Sequence, residues 1–295
     1  MASKLIVRIK GGLGNQLFSY AAARRLALVN NAELIIDNVT GFVRDKKYQR
    51  KYMLDAFNIS ARKVTKVERM EPFERYRRGF SKWWFRTRPF SERRYLEQEV
   101  RDFDERLLTL KIKDTLYLDG LWQSEGYFQD IENVIRNDLT IVPPKDEQNL
   151  SIASKMRDHN SIALHVRWFD APNSLALHNT SVDYYQRAIA FMEKRFDSPQ
   201  YFLFSDNPAA ALTKLALPQG KVTCMSHNQG DANAYADMWL MTQCKHFIIA
   251  NSTFSWWGAW LAENTEKVIV APNMQLAGVT AWGFPGLIPN DWILK

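Results

Sequence analysis

From residue 161 onward, short apolar runs alternate with segments of helical character, and this alternation restricts the fold more than any other feature. The runs lie at 162–166, 201–204, 222–225, 247–250 and 268–271, separated by helical segments at 182–195, 209–215, 232–243 and 254–262. Strands that are apolar throughout, with a helix between each pair, predict a parallel sheet covered on both faces. The first half reads the same way with more interruption. Strands are expected at 5–9, 34–37 and 116–119, and helices at 16–29 and 125–138. Pro143-Pro144 and the polar stretch to Leu150 break the pattern and mark a boundary. A chain of 295 residues is long for one core, so the expected organisation is two domains, 1–145 and 146–295. Both would be α/β and doubly wound. Facing each other, they would place a ligand cleft at the carboxyl ends of their strands.

Charge narrows the class of ligand. The net charge is +7, which favours anionic partners. Much of the excess sits in an insertion of the first domain, about 61–110. There Arg75, Arg77, Arg78, Lys82, Arg86, Arg88, Arg93 and Arg94 face only Glu74 and Glu92, interleaved with Tyr76, Phe80, Trp83, Trp84, Phe85 and Phe90. Such a segment suits a membrane interface or single-stranded nucleic acid. It equally suits a helix whose rings pack inward while its arginines are solvated. No apolar run approaches the ~18 residues of a membrane span. Met1-Ala2-Ser3-Lys4 leads directly into a strand, without the apolar region of a signal peptide. Cys224 and Cys244 match no metal-ligand spacing and read as reduced thiols of a cytoplasmic protein.

The residues that carry chemistry fall at strand ends. Gly11-Gly12-Leu13-Gly14-Asn15-Gln16-Leu17-Phe18 joins the first strand to the first helix. Glycines there permit close approach of backbone and ligand, and the helix start offers unpaired N–H groups to an anion. A dinucleotide fingerprint is incomplete, because Leu17 stands at the third glycine position. Asn15 and Gln16 instead suit a hydroxylated or phosphorylated group. The strand at 162–166 runs into His165, Arg167 and Asp170, where an arginine fork suits phosphate oxygens, or pairs with Asp170. The strand at 201–204 ends in Ser205-Asp206-Asn207-Pro208, with Asp206 either a helix cap or a ligand contact. The strand at 247–250 ends in Asn251-Ser252-Thr253-Phe254, a helix start able to hold phosphate. Asp237, in an otherwise apolar helical stretch, calls for a partner such as the adjacent N–H donors of a guanine edge. Asp102-Phe103-Asp104 lies in a charge-dense segment away from any strand end and reads as a solvated face.

In this order and spacing, from Gly11 to about Ala271, these motifs resemble the α-1,2-fucosyltransferases of glycosyltransferase family 11. The resemblance rests on the Gly-Gly-Leu-Gly-Asn-Gln-Leu-Phe turn, the His-x-Arg run, the Phe-Ser-Asp strand end and the block from Asp237 to Leu261. It implies a GT-B architecture of two Rossmann-like domains and an enzyme that transfers L-fucose from GDP-β-L-fucose to the 2-hydroxyl of a galactoside. The transfer would invert the anomeric carbon, with no metal and no cofactor beyond the donor substrate. The implied acceptor is a galactose-terminated glycan or glycolipid. Nucleic acid is not an expected partner, and peripheral contact with the inner face of the membrane is. The first domain would lie on the acceptor side and the second would bind GDP-fucose. By the same resemblance Arg167, Ser252 and Thr253 hold the β-phosphate region, and Asp237 and His165 the guanosine end. Gly12, Gly14, Asn15 and Gln16 would close over the pyrophosphate and fucose, while Asp206, Asn251 and Phe254 complete the donor site. Arg167 and Asp170 are the expected catalytic pair, with Asp183 and Asp206 as further candidate bases. One position departs: Trp168 stands where the family has a second arginine. Transfer of a different sugar or linkage, or a decayed transferase fold that binds membranes or polyanions, are the alternatives.

Overall fold

The computed structural model describes residues 3–46, 48–168, 178–215, 217–218, 220–278 and 281–295. The chain divides into two compact units, Met1–Thr140 with Pro285–Leu287, and Ile141–Phe284 with Ile288–Lys295.

In the N-terminal unit the elements run β1 (Lys4–Arg8), α1 (Leu13–Val29), β2 (Glu33–Asp37), β3 (Arg62–Lys63), α2 (Glu74–Arg86), β4 (Tyr95–Glu97), α3 (Arg106–Thr109), β5 (Thr115–Asp119) and α4 (Glu132–Asp138). Among the described residues the sheet has the order β3-β2-β1-β5-β4, with every pairing parallel. Leu5, Val7, Ile35, Ile36 and Leu118 are fully buried. Each such side chain contributes roughly 1.5–3 kcal/mol by leaving water. The small residues Ala21, Ala22 and Ala23 let α1 lie deep in the unit, where it packs on β1 and β2.

The insertion expected at 61–110 belongs partly to this sheet, because its ends supply the flanking strands β3 and β4. Two exposed residues, Arg62 and Lys63, form β3. So short a polar strand leaves no period-2 pattern to read. Between them α2 has no buried residue, and Tyr76, Phe80, Trp83 and Trp84 are exposed. The rings therefore do not pack inward. They group with one another, Phe80 lying 5.9 Å from Trp83 and 6.2 Å from Trp84 between centroids.

The C-terminal unit runs α5 (Glu147–Asp158), β6 (Ser161–Val166), α6 (Val182–Arg195), β7 (Gln200–Ser205), α7 (Pro208–Lys214), β8 (Val222–Met225), α8 (Ala234–Thr242), β9 (His246–Ile248), α9 (Thr253–Leu261), β10 (Ile269–Ala271) and β11 (Ile293–Leu294). The polar stretch before Leu150 is helical. Asp146 caps α5 by accepting the Asn149 N–H at 2.9 Å, which is why a run of polar residues can open a helix. Among the described residues the parallel sheet has the order β11-β10-β9-β6-β7-β8. Central β6 is buried along its whole length. Ile162, Leu164 and Val166 meet Tyr185, Ile189 and Met192 of α6 in the core. From β6 the chain winds outward through β7 and β8, then returns to β9 and winds the other way. The β6–β9 junction is thus the topological switch point, the place at the strands' carboxyl ends where sheets of this kind bind ligands.

Candidate functional site

Two of the expected site segments leave the sheet side by side at this switch point. Arg167 follows β6, and Asn251-Ser252-Thr253 follow β9 and open α9. Their junction is stitched at 2.8 Å between His165 Nδ1 and the buried Ser255 Oγ, and the Phe254 ring lies 5.7 Å from the imidazole. Burial, with Arg167 nearby, pushes the His165 imidazole down to about 3, so it is neutral at physiological pH. His165 therefore fixes β6 against the first turn of α9.

Arg167 is the cation of this corner. Val166 is in register with Ser205, so Arg167 and Asp206 each stand one residue beyond paired strands. The Arg167 Nε lies 3.4 Å from Asp206 Oδ2. Both side chains are about one third exposed, so the pair orients the guanidinium without withdrawing it from solvent. Asp206 does not cap α7. Asn207 does, accepting the Ala210 N–H at 3.1 Å. Asp170, the expected catalytic partner, lies outside the described residues. Of the other candidate bases, Asp183 pairs with Arg187 on the surface of α6.

The start of α9 is prepared locally. Ser252 caps it, its Oγ accepting from Phe254 N–H, and Ser252, Thr253 and Phe254 are half-buried. Aligned peptide dipoles place partial positive charge at this end. Asn251 holds the turn in place. Its Nδ2 donates to His178 O at 2.9 Å, and its Oδ1 accepts from Thr180 Oγ1 at 2.9 Å. Behind the turn, Trp256 and Trp257 are fully buried and in edge contact at 5.0 Å. Trp168 packs against the core of the unit, and the Lys214 Nζ lies over its ring at 5.2 Å. The position lacking the second arginine thus carries a cation from α7.

Asp237 occupies the first turn of α8. A crossover helix begins at the carboxyl edge of a parallel sheet, so Asp237 shares that edge with Arg167. Its Oδ1 accepts from Asn228 Nδ2 at 2.9 Å. Asn228 also bonds Asn149, which in turn lies 3.0 Å from His227 Nε2. Burial raises the Asp237 carboxyl to about 6, against the lowering effect of Asn228. This amide network had no sequence signal, because Asn149 falls in a segment that reads as a linker and Asn228 in a loop.

In the N-terminal unit, the glycine turn holds as a strand-to-helix junction. Gly11 has φ +78°, and a Cβ there would sit 2.9 Å from Asn15 Nδ2, so glycine is required. Gly12 caps α1 and meets open space at its Cβ position. Gly14 and Asn15 lie in the first helical turn, Asn15 Oδ1 accepting from Gln123 at 2.8 Å. Gln16, expected to contact ligand, is completely buried. Its amide bonds Gly11 O, Lys51 O and Met53 N at 2.8–2.9 Å, so it fastens the 51–53 segment instead. Asp104, in the Asp-x-Asp segment, grips Arg106. Among the described residues, no three His, Cys, Asp or Glu side chains are grouped as a metal ion would require. Cys224 and Cys244 are both free thiols.

Comparison with known proteins agrees with this architecture. The sequence profile of Glycosyl transferase family 11 matches residues 4–279. An alpha-1,2-colitosyltransferase of Escherichia coli is 27% identical over 284 residues, 92% of each chain. The human galactoside alpha-(1,2)-fucosyltransferase 1 is 25% identical over 158 residues, 50% of this chain and 43% of that protein. Among solved structures, the NodZ alpha-1,6-fucosyltransferase of Bradyrhizobium, co-crystallized with GDP, superposes with a TM-score of 0.51. The match spans 88% of this chain and 92% of that one at 18% identity, a likeness of fold. The two Rossmann-like parallel-sheet units are of the GT-B type, and the profile match over residues 4–279 places this chain in glycosyltransferase family 11.

Proposed function

We propose that the protein is an inverting α-1,2-fucosyltransferase that uses GDP-β-L-fucose and a galactoside acceptor, without a metal. The observation that carries this reading is the juxtaposition of Arg167 with the capped start of α9 at the switch point of the C-terminal unit. That arrangement suits a diphosphate, and the C-terminal unit is accordingly the donor-binding unit. The N-terminal unit then serves the acceptor side and offers Gly12, Gly14 and Asn15 to the sugar substrates.

In the proposed reaction the galactose 2-hydroxyl oxygen forms a bond to fucose C1 as the C1–O bond to GDP breaks. The bonding electron pair leaves on the β-phosphate, and the hydroxyl proton passes to a general base. The transition state is oxocarbenium-like. Negative charge grows on the diphosphate, where Arg167 and the α9 N–H groups are already oriented. At the base, the ionised Asp237 carboxylate accepts the guanine N–H donors. A second reading, transfer of colitose, is favoured by the name of the E. coli relative.

The test is incubation with GDP-fucose or GDP-linked colitose and a panel of galactosides, with linkage analysis of the product. Fucose α-linked to the galactose 2-position is the expected result. Transfer of colitose alone replaces the first reading with the second, and no transfer from either donor removes both.

A pH dependence follows from Asp237. Its carboxyl, raised to about 6, is protonated below that pH and then ceases to accept two N–H donors. Guanosine serves as the probe because it carries no phosphate of its own to titrate. Its affinity should fall by up to about tenfold per pH unit below 6. In Asp237→Asn it should be weak and flat across the same range. A flat profile in the unsubstituted protein would remove Asp237 from the guanine edge.

A further inference from the structure

A second basic site lies entirely within the N-terminal unit, where the end of β1 and the loop after β2 meet α2. A cavity of about 200 Å³ opens there, and five of its nine lining residues, Arg8, Arg44, Arg75, Arg78 and Lys82, are basic. Glu74 is its one acidic lining residue.

Two of the cations are fixed from behind. Arg8 donates through Nε and Nη2 to Thr40 and through Nη1 to Asp119, at 2.8–3.1 Å. Lys82 Nζ lies 3.1 Å from Asp119 Oδ2 and 2.6 Å from Glu97 Oε1. Asp119 itself is 1% exposed, and Lys10 and the Tyr95 hydroxyl also bond it. Desolvation raises its proton affinity, yet Lys10, Arg8 and Lys82 together hold the carboxyl well below the usual range. The buried acid thus anchors the wall. Arg44, Arg75 and Arg78 are different. Among the described residues none of them lies within ion-pair distance of a carboxylate, and Arg44 and Arg75 are exposed.

We propose that this cavity is an anion subsite that takes a phosphoryl or diphosphoryl ester. Size decides against a whole sugar nucleotide, since pockets for such ligands usually measure about 300–1,000 Å³. A cavity of about 200 Å³ holds roughly six or seven waters' worth of volume at ~30 Å³ each, enough for a hydrated phosphate head. Arginine forks match its oxygens. Residues 75, 78, 79 and 82 present one face of α2 to the cavity, at helical spacing. The exposed rings of Tyr76, Phe80, Trp83 and Trp84 share the same helix. The phosphate can therefore belong to a soluble ester or to a lipid head group.

Gly79 provides the test. It lines the cavity, and a Cβ added there meets nothing within 4 Å. Gly79→Glu introduces a carboxylate on an unobstructed Cβ, while Gly79→Ala should keep the site and favour the helix. The full chain is titrated calorimetrically with inorganic diphosphate, and by sedimentation with phosphatidylcholine vesicles with and without phosphatidic acid. In the Arg167→Ala background, which disables the donor site, diphosphate binding should weaken at least tenfold on adding Gly79→Glu or Arg44→Gln/Arg78→Gln, and stay within twofold on adding Gly79→Ala. The binding that remains in Arg167→Ala is that of this subsite and the binding lost is that of the donor site, so either can fail alone. Loss of diphosphate binding alone in Gly79→Glu supports a soluble ester, and loss of both diphosphate and vesicle binding supports a lipid head group. Equal binding in all variants, no binding in the unsubstituted protein, or complete loss of binding in Arg167→Ala itself would overturn the subsite.

Discussion

Arg167→Ala is expected to lower the rate of sugar transfer by about 100–1,000-fold, equivalent to ~3–4 kcal/mol of transition-state stabilisation, while the protein stays folded. In the proposed reaction the leaving diphosphate gains charge in the transition state, and a preoriented guanidinium would stabilise that charge more than it stabilises the bound donor. The fold should survive because the Arg167–Asp206 pair is partly exposed, with side chains 29% and 34% accessible. Such a pair contributes only about 0–1 kcal/mol to stability. Arg167→Lys retains the charge but loses the fork, so activity between the two is expected. Thermal unfolding and steady-state kinetics on the same preparations check both parts. A folded Arg167→Ala enzyme with undiminished turnover would remove the residue from the mechanism.

Trp256→Ala should be the most damaging single core substitution near the site, at a cost of about 3–5 kcal/mol. Trp256 is fully buried. Its ring touches Trp257 at 5.0 Å, Trp292 at 5.3 Å and Trp260 at 6.2 Å between centroids. Whole-domain stabilities are only about 5–15 kcal/mol, so this loss is a large fraction of the total. The consequence reaches the chemistry because Trp256 lies in the first turn of α9, its backbone N–H bonding Ser252 O at 3.0 Å, so the ring anchors the turn that carries the cap. A helix free to shift on its bed no longer aims its start at a fixed point. Urea denaturation should show a marked fall in midpoint, and Trp256→Phe should recover most of it. An unchanged midpoint in Trp256→Ala would mean that the cluster does not support α9.

How much of this was legible in the sequence depended on the kind of signal each residue leaves. The strand at 222–225 and the helix at 182–195 match β8 and α6 end to end. An apolar run is a local signal, and in the structure Ser181 caps α6 by accepting the Tyr184 N–H, so local physics set those bounds. Strand β11, Ile293–Leu294, is two residues long and exists only because β10 lies beside it. No periodicity can announce such a strand. Side-chain roles followed the same division. A charged residue one position past a strand, such as Arg167, can be placed by topology alone. Its pairing with Asp206 depends on the register of two strands separated by α6. Gln16 and Asn251 have the residue types of ligand contacts, and the structure ties both to backbone far along the chain. A buried amide and an exposed one look the same in sequence. The cationic cavity beside α2 was visible only as an excess of arginine; its wall depends on Asp119, a residue 37 positions beyond Lys82.

The central claim is that the switch point of the C-terminal unit holds a nucleotide's diphosphate between the Arg167 guanidinium and the first turn of α9. A crystal structure of the protein soaked with GDP tests it most directly. The account predicts β-phosphate oxygens within hydrogen-bond distance of Arg167 and of Ser252 or Thr253, with the guanine edge on Asp237. Well-ordered GDP whose phosphates touch none of these residues would contradict it.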